Sequence, residues 1–293
     1  MLCRVECLVM VTNPAPPDFL APVGLGAALD MLAIAEHTIL AGGTDFYPAR
    51  VGKPLTEPVV DISGIKELRG ISESEDVRRI GALTTWSEII AADLPGSCDA
   101  LKMAAARVGG VQIQNTATIA GNLCNASPAA DGVPPLLALD ASVELASVAG
   151  TRVMPLEEFL TGYRQTALKP GELLTAVLLP RDLDRAASHF LKLGSRSYLV
   201  ISAVMVAALL GFDSAGRVEQ ARIVVGSCSP VARRLRDLEE ELIGRDGDVA
   251  AVVTPAHLSA LTPIDDIRAS AAHRMDAALE LVRRAIANCA APR

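Results

Sequence analysis

Two polar, glycine-bearing stretches break into otherwise apolar runs and constrain this chain more than anything else in it. The first is Ile39-Leu40-Ala41-Gly42-Gly43-Thr44-Asp45-Phe46; the second runs from Thr118 through Ile119-Ala120-Gly121-Asn122-Leu123-Cys124-Asn125-Ala126-Ser127-Pro128 to Asp131. Glycine permits the positive φ angles that turn successive N–H groups to one side, which makes such a loop a receptor for an anion. Taken alone, Gly-Gly-Thr-Asp is an ordinary strand-ending turn. The second stretch crowds Thr118, Asn122, Asn125, Ser127 and Asp131 into a short span, and buried polar atoms need partners. Either the stretch satisfies itself through side-chain to backbone bonds, or a polar ligand supplies the partners. Two loops of small residues with reachable backbone N–H groups predict one dinucleotide-sized ligand held between them.

The pattern is not the usual dinucleotide fingerprint. No Gly-x-Gly-x-x-Gly opens a first strand-to-helix unit, and no Gly-x-x-x-x-Gly-Lys-Ser/Thr phosphate loop occurs in the chain, which disfavours a Rossmann domain. At 293 residues, a soft prior of ~150 residues each gives two domains. With 51% hydrophobic and 21% charged residues there is material for packed cores and no sign of disorder. Aromatics are only 3%, so the cores are built from small aliphatic side chains.

Lys and Arg number 27 against 34 Asp and Glu, a formal charge of −7, which argues against nucleic-acid binding, a process that runs on clustered cations. The basic run Arg233-Arg234-Leu235-Arg236 is followed by Asp237, Glu239, Glu240 and Glu241, and it reads as a solvated helix face with offsetting charges. Six cysteines, at 3, 7, 98, 124, 228 and 289, include no Cys-x-x-Cys pair, so neither a zinc site nor an iron–sulfur cluster is indicated. Cys124, inside the second stretch, reads as a small apolar filler rather than a redox group. His37, His189, His257 and His273 are scattered without metal-ligand spacing. Met1 to Thr12 is interrupted by Arg4 and Glu6 and has no long apolar core, so no signal peptide is read there. The longest apolar run, Tyr198 to Leu210, is too short to span a membrane and reads as a buried strand or core helix. A cytoplasmic protein is the expectation.

Periodicity predicts a helix over 23–36, then a strand over 38–40 that delivers the first loop. Strands are expected over 59–62 and 77–82. Thr85 followed by Glu88 makes a capping box for a helix through Ala91. Residues 99–109 read as a helix stopped at Gly109-Gly110, 142–146 and 152–155 as a hairpin, and 155–160 as a short helix. Further on, Asp213-Ser214-Ala215-Gly216-Arg217 is a hairpin turn, 221–225 the returning strand, and 231–242 and 270–287 helices.

Six motifs in order resemble one family: the Ala-Gly-Gly-Thr-Asp loop, Val60-Asp61-Ile62, Ile80-Gly81-Ala82-Leu83-Thr84-Thr85, the segment from Asn115 to Asp131, Pro170-Gly171-Glu172-Leu173-Leu174, and Lys192-Leu193-Gly194-Ser195-Arg196. This is the flavin-binding, or medium, subunit of the molybdenum hydroxylases, which include xanthine, carbon monoxide and nicotinate dehydrogenases. The resemblance covers nearly the whole chain from about Pro17. It implies an α+β fold: a two-subdomain FAD-binding domain of the p-cresol methylhydroxylase type over 17–180 (subdomains about 17–65 and 66–180), preceded by an N-terminal extension at 1–16. A smaller C-terminal α+β domain, an antiparallel sheet with helices, would occupy 181–293.

The resemblance also implies site residues. Leu40, Ala41, Gly42, Gly43, Thr44 and Asp45 would wrap the FAD pyrophosphate, with Thr118, Ala120, Gly121 and Asn122 covering it from the other side. Asp131 would hold FAD hydroxyls, Lys192 would lie near the flavin, and Val108 and Leu174 would pack on its rings. By the same likeness the chain is an oxidoreductase subunit that passes electrons to an external acceptor. It receives them from [2Fe–2S] clusters in a small partner, while a large partner holds the molybdenum cofactor, an arrangement open to a dimer of heterotrimers. Three departures stand out: Ala120 where the family has glycine, Gln114 where arginine or lysine is common, and Val200 where an aspartate is expected. Two other readings stay open, a self-contained flavin oxidase of the same fold and a flavin-free assembly subunit. The first needs positioned acid–base groups, and no His, Tyr or Arg cluster stands out.

Overall fold

The computed structural model describes residues 18–196 and 199–291. The N-terminal extension with Cys3 and Cys7, the stretch read for a signal peptide, and Tyr198 at the head of the apolar run lie outside the described residues.

Three larger sheets and a two-stranded one, Leu160–Gly162 with Gln165–Thr166, organise the described residues. A parallel three-stranded sheet is ordered Phe19–Leu20, Val59–Asp61, Thr38–Leu40, with helix Leu25–Ile34 packing Ala28, Leu29 and Leu32 into the core. A five-stranded antiparallel sheet follows, ordered Ile71–Glu73, Val77–Gly81, Leu173–Pro180, Ser142–Ser147, Gly150–Pro155. Between its second strand and Ser142 the chain makes a long excursion through five short helices: Trp86–Ala91, Asp99–Ala105, Val111–Gln114, Ile119–Asn125 and Val133–Ala138. The C-terminal sheet is antiparallel, ordered Ala187–Leu193, Val204–Phe212, Val218–Gly226, Arg233–Arg234, and carries helices Arg236–Leu242 and Ala271–Ala290. This is an α+β architecture with antiparallel sheets in its larger layers.

The apolar run ending at Leu210 resolves as a strand buried on both faces only from Val204; Leu199 and Ile201 ahead of it are exposed. Met205, Ala207 and Leu209 join the core of the preceding domain, and Val204, Val206, Ala208 and Leu210 join a second core under the C-terminal helices. With both faces covered, the alternation that marks a half-exposed strand is erased.

Local rules account for several element boundaries. The capping box at Thr85 forms with both of its bonds. Ser270 caps the last helix by accepting from the His273 N–H. The helix expected to run to Gly109 ends at Ala105, after which the chain turns. The helix expected over 231–242 begins only at Arg236, because Arg233 and Arg234 pair as a short edge strand with Val225 and Val224.

The basic run is therefore not a solvated helix face. Arg234 is largely buried between Asp140 at 2.5 Å and Glu239 at 2.6 Å, and Arg222 reaches the same Asp140 at 2.8 Å. These ion pairs join the C-terminal sheet to the loop just before Ser142, so the run holds two parts of the molecule together.

Candidate functional site

The first loop leaves the end of strand Thr38–Leu40, whose Leu40 carbonyl accepts from the Ile62 N–H. It returns through a turn closed by Tyr47 N–H to the Gly43 carbonyl. Between those points, no hydrogen bond among the described residues engages the backbone N–H of Gly42, Gly43, Thr44, Asp45 or Phe46. These residues are half-buried or exposed, and a run of amides that no protein group accepts is the arrangement that binds an anion. Gly43 takes a positive φ of 71°. Gly42 is needed for a different reason: a methyl group there would come 2.0 Å from the Thr116 carbonyl oxygen. The first loop thus presses directly against the entry to the second stretch.

The second stretch behaves otherwise. Residues 118–122 were expected to expose N–H groups; they form the start of helix Ile119–Asn125, and their amides are engaged. Ile119 donates to Thr84, Ala120 to Ala82 and Asn122 to Thr118, while the Gly121 N–H is capped by Thr118 Oγ1 at 3.0 Å. A bridge between Thr85 and Thr118 pins this segment to the capping box. What it offers to the space in front of it is side chains, and Asn122 Oδ1 is buried without a partner.

Both stretches line one cavity of about 440 Å³, within the range of about 300–1,000 Å³ typical of cofactor sites. Ala41 to Phe46 and Thr118, Ala120, Gly121 and Asn122 form its polar side; Ile39, Leu83, Val108, Ile113, Leu173 and Leu174 supply apolar wall. A long amphiphilic ligand with an anionic middle suits this lining.

Sequence comparison matches residues 15–182 to the family described as FAD binding domain in molybdopterin dehydrogenase. Residues 189–289 match the CO dehydrogenase flavoprotein C-terminal domain. The nicotinate dehydrogenase FAD-subunit of Eubacterium barkeri is 37% identical over 237 residues, 78% of this chain and 79% of that protein. The chain belongs to the flavoprotein subunit family of the molybdenum hydroxylases. Among solved structures, CO dehydrogenase from Oligotropha carboxidovorans superposes with a TM-score of 0.86 at 26% identity, covering 95% of this chain and 99% of that one. Quinoline 2-oxidoreductase from Pseudomonas putida 86 gives 0.85 at 26% identity, with 94% and 96% covered. These flavoproteins share the FAD-binding and C-terminal arrangement described above.

Most of the residues expected at the site converge on the cavity: Ala41, Gly42, Gly43, Thr44, Asp45, Val108, Thr118, Ala120, Gly121, Asn122 and Leu174 all line it. Leu40 lies behind the loop, 3% exposed in the core. Asp131 and Lys192 are not on the cavity wall. They pair with each other at 2.6 Å where the two domains meet, and Ser202 donates to the other carboxylate oxygen at 2.6 Å. Lys192 also donates to the Arg107 carbonyl at 3.3 Å, next to the cavity residue Val108. Burial pushes the Asp131 carboxyl above the usual carboxylate range, while the Lys192 ammonium and the Ser202 hydroxyl pull it back.

Two of the family departures have visible consequences in this flavoprotein. Gln114 donates to the carbonyls of Ala106 and Val108, each at 3.2 Å, so it props the turn that presents Val108. The Ala120 methyl is largely buried, and its N–H points at Ala82 rather than the cavity; the extra carbon intrudes little. Cys124 is exposed where the cavity opens, and desolvation by the protein around it pushes its thiol up. It is a neutral thiol at neutral pH rather than an activated thiolate, and being exposed it is not the packed filler its sequence context suggests.

Residues that sequence reasoning did not assign to the site include Leu83 and Trp86, both on the cavity wall; Asn125, read only as one of the polar groups of the second stretch, lies there too. Leu83 precedes the capping box and Trp86 lies within it, and both read locally as core; only the pairing of 82–86 against 117–120 turns them toward the site.

Proposed function

We propose that this chain carries FAD in the cleft between the two stretches and relays electrons within a molybdenum hydroxylase complex. The observation that carries this reading is the run of unengaged N–H groups from Gly42 to Phe46, facing the second stretch across a cavity of matching polarity. Ala41 to Asp45 would hold the pyrophosphate through backbone donors. Asn122 would bond a polar group of the cofactor. Val108 and Leu174 would pack on its rings, and Asp131 with Lys192 would fix the domain junction beside them. FAD, when bound, supplies a group that takes up two electrons and releases them singly or in pairs.

The chain's own part is to bind, orient and shield. The first loop neutralises phosphate charge without a cationic side chain, the apolar wall excludes water, and the Gln114 prop sets the position of Val108. In the reading extended from the relatives, electrons arrive from [2Fe–2S] clusters of a small subunit, the molybdenum cofactor sits in a large one, and an external acceptor removes electrons from this chain. The assembly would be a heterotrimer or its dimer in the cytoplasm. Within the chain, residues 17–180 would form the FAD-binding domain and 181–293 the C-terminal domain.

The experiment is reconstitution. Purified protein incubated with FAD and passed through gel filtration should retain flavin absorbance at a stoichiometry near one. Retention of none would sink the proposal.

A further inference from the structure

Two residues that line the cavity each carry a buried polar atom without a hydrogen-bond partner, the indole Nε1 of Trp86 and the side-chain Oδ1 of Asn122. Trp86 is fully buried, so bulk solvent does not serve its N–H. The rest of the residue is well anchored: its backbone N–H donates to the Ala117 carbonyl at 3.2 Å, and the capping box holds the turn before it. Both residues pack against Gly132. A methyl group placed on Gly132 would come 2.4 Å from Trp86 Cη2, 3.0 Å from Cζ2 and 2.9 Å from Asn122 Oδ1.

An indole N–H only donates, and an amide oxygen only accepts. Buried groups of either kind are seldom left unpaired. One group matches both at once: a hydroxyl, which accepts one bond and donates another. Resting on the FAD reading above, we infer that Trp86 is a further cofactor-contacting residue, its indole N–H donating to a hydroxyl of the bound cofactor whose own proton is received by Asn122 Oδ1. FAD carries hydroxyls on its ribityl chain and on its ribose, and the same pair of atoms could read either.

The chain contains one tryptophan, so the ¹⁵N-labelled full-length protein gives a single indole resonance. During a titration with FAD, followed in parallel by flavin absorbance, that resonance should move downfield in step with binding. Trp86→Phe, which leaves a gap around this fully buried side chain, should melt at a lower temperature and, while folded, bind FAD roughly five- to tenfold more weakly, the loss of one hydrogen bond. A shift produced by FMN points to the ribityl hydroxyls, and one produced by ADP to the ribose. Flavin that binds without moving the resonance, or Trp86→Phe with unchanged affinity, overturns the inference and leaves an enclosed water as the indole's partner. Should Trp86→Phe fail to fold, the wild-type titration decides alone. A wild-type protein that takes up no FAD fails at the reading of the cleft itself, and the hydroxyl contact falls with it.

Discussion

The two stretches look alike as sequence, each with small residues, glycine, threonine and a polar amide or acid, yet they present opposite surfaces to the cavity. The loop after Leu40 keeps its N–H groups free and its carbonyls engaged in a turn. The segment after Ala117 closes its N–H groups into a short helix and a pairing with residues 82–84, leaving only side chains for recognition. Glycine content does not distinguish an anion receptor from a helix start. The difference is whether another piece of backbone lies close enough to accept the amides.

That contrast can be broken at several points. The strongest test concerns the acidic end of the second segment, where Asp131 joins the domains instead of facing the cavity. Lys192→Met should cost about 3–5 kcal/mol at neutral pH, because it leaves a buried carboxylate unpaired. Burial already holds the Asp131 carboxyl high. A carboxyl raised by folding stabilises most when protonated, below its unfolded value of about 4, and the benefit is lost as pH rises through the folded value. The deficit of the variant should therefore grow between about pH 4.5 and pH 7.5 in urea titrations. A deficit that shrinks over that interval would contradict the assignment.

Next in size is Gly42→Ala, whose methyl group has no room against Thr116. It should lower FAD affinity by at least about a hundredfold, equivalent to about 2.7 kcal/mol. Gly121→Ala is the matched control: its methyl group would meet only Thr118 Oγ1 at 2.9 Å, in helical backbone, and affinity should fall by less than about fivefold, or about 1 kcal/mol. Equal losses from the two alanines, measured by flavin fluorescence titration, would erase the distinction between the stretches. The smallest effect belongs to Thr118→Ala, which removes the cap on the Gly121 N–H. It should destabilise the fold by about 1 kcal/mol, read as a lower melting temperature, with FAD binding nearly retained.

Much of the fold was legible along the chain wherever a rule acts within a few residues. The capping box at Thr85 and Glu88, the strand ending at Leu40, the hairpin turn at Asp213 and the capped helix after Ser270 all depend on neighbours in sequence. The helix Ile119–Asn125 was not legible, since Gly121 and Asn122 weaken its propensity and its first amides are satisfied by residues 82 and 84. Nor was the strand at Arg233–Arg234, which exists only because Val224 and Val225 offer an edge. Strand Val204–Phe212 stayed ambiguous between strand and helix for the reason that made it central: both of its faces are covered.

The site divides along the same line. By itself the sequence determined that small, flexible residues sit at two places, and backbone freedom at glycine is a local property that needs no tertiary partner. Tertiary structure alone decided which of the two keeps its amides open, and that Asp131 meets Lys192 across 61 residues of chain. It also turned Trp86 toward the cavity. Hydrogen-bond satisfaction is a competition among everything within about 3 Å, and that neighbourhood is set by how sheets and helices pack.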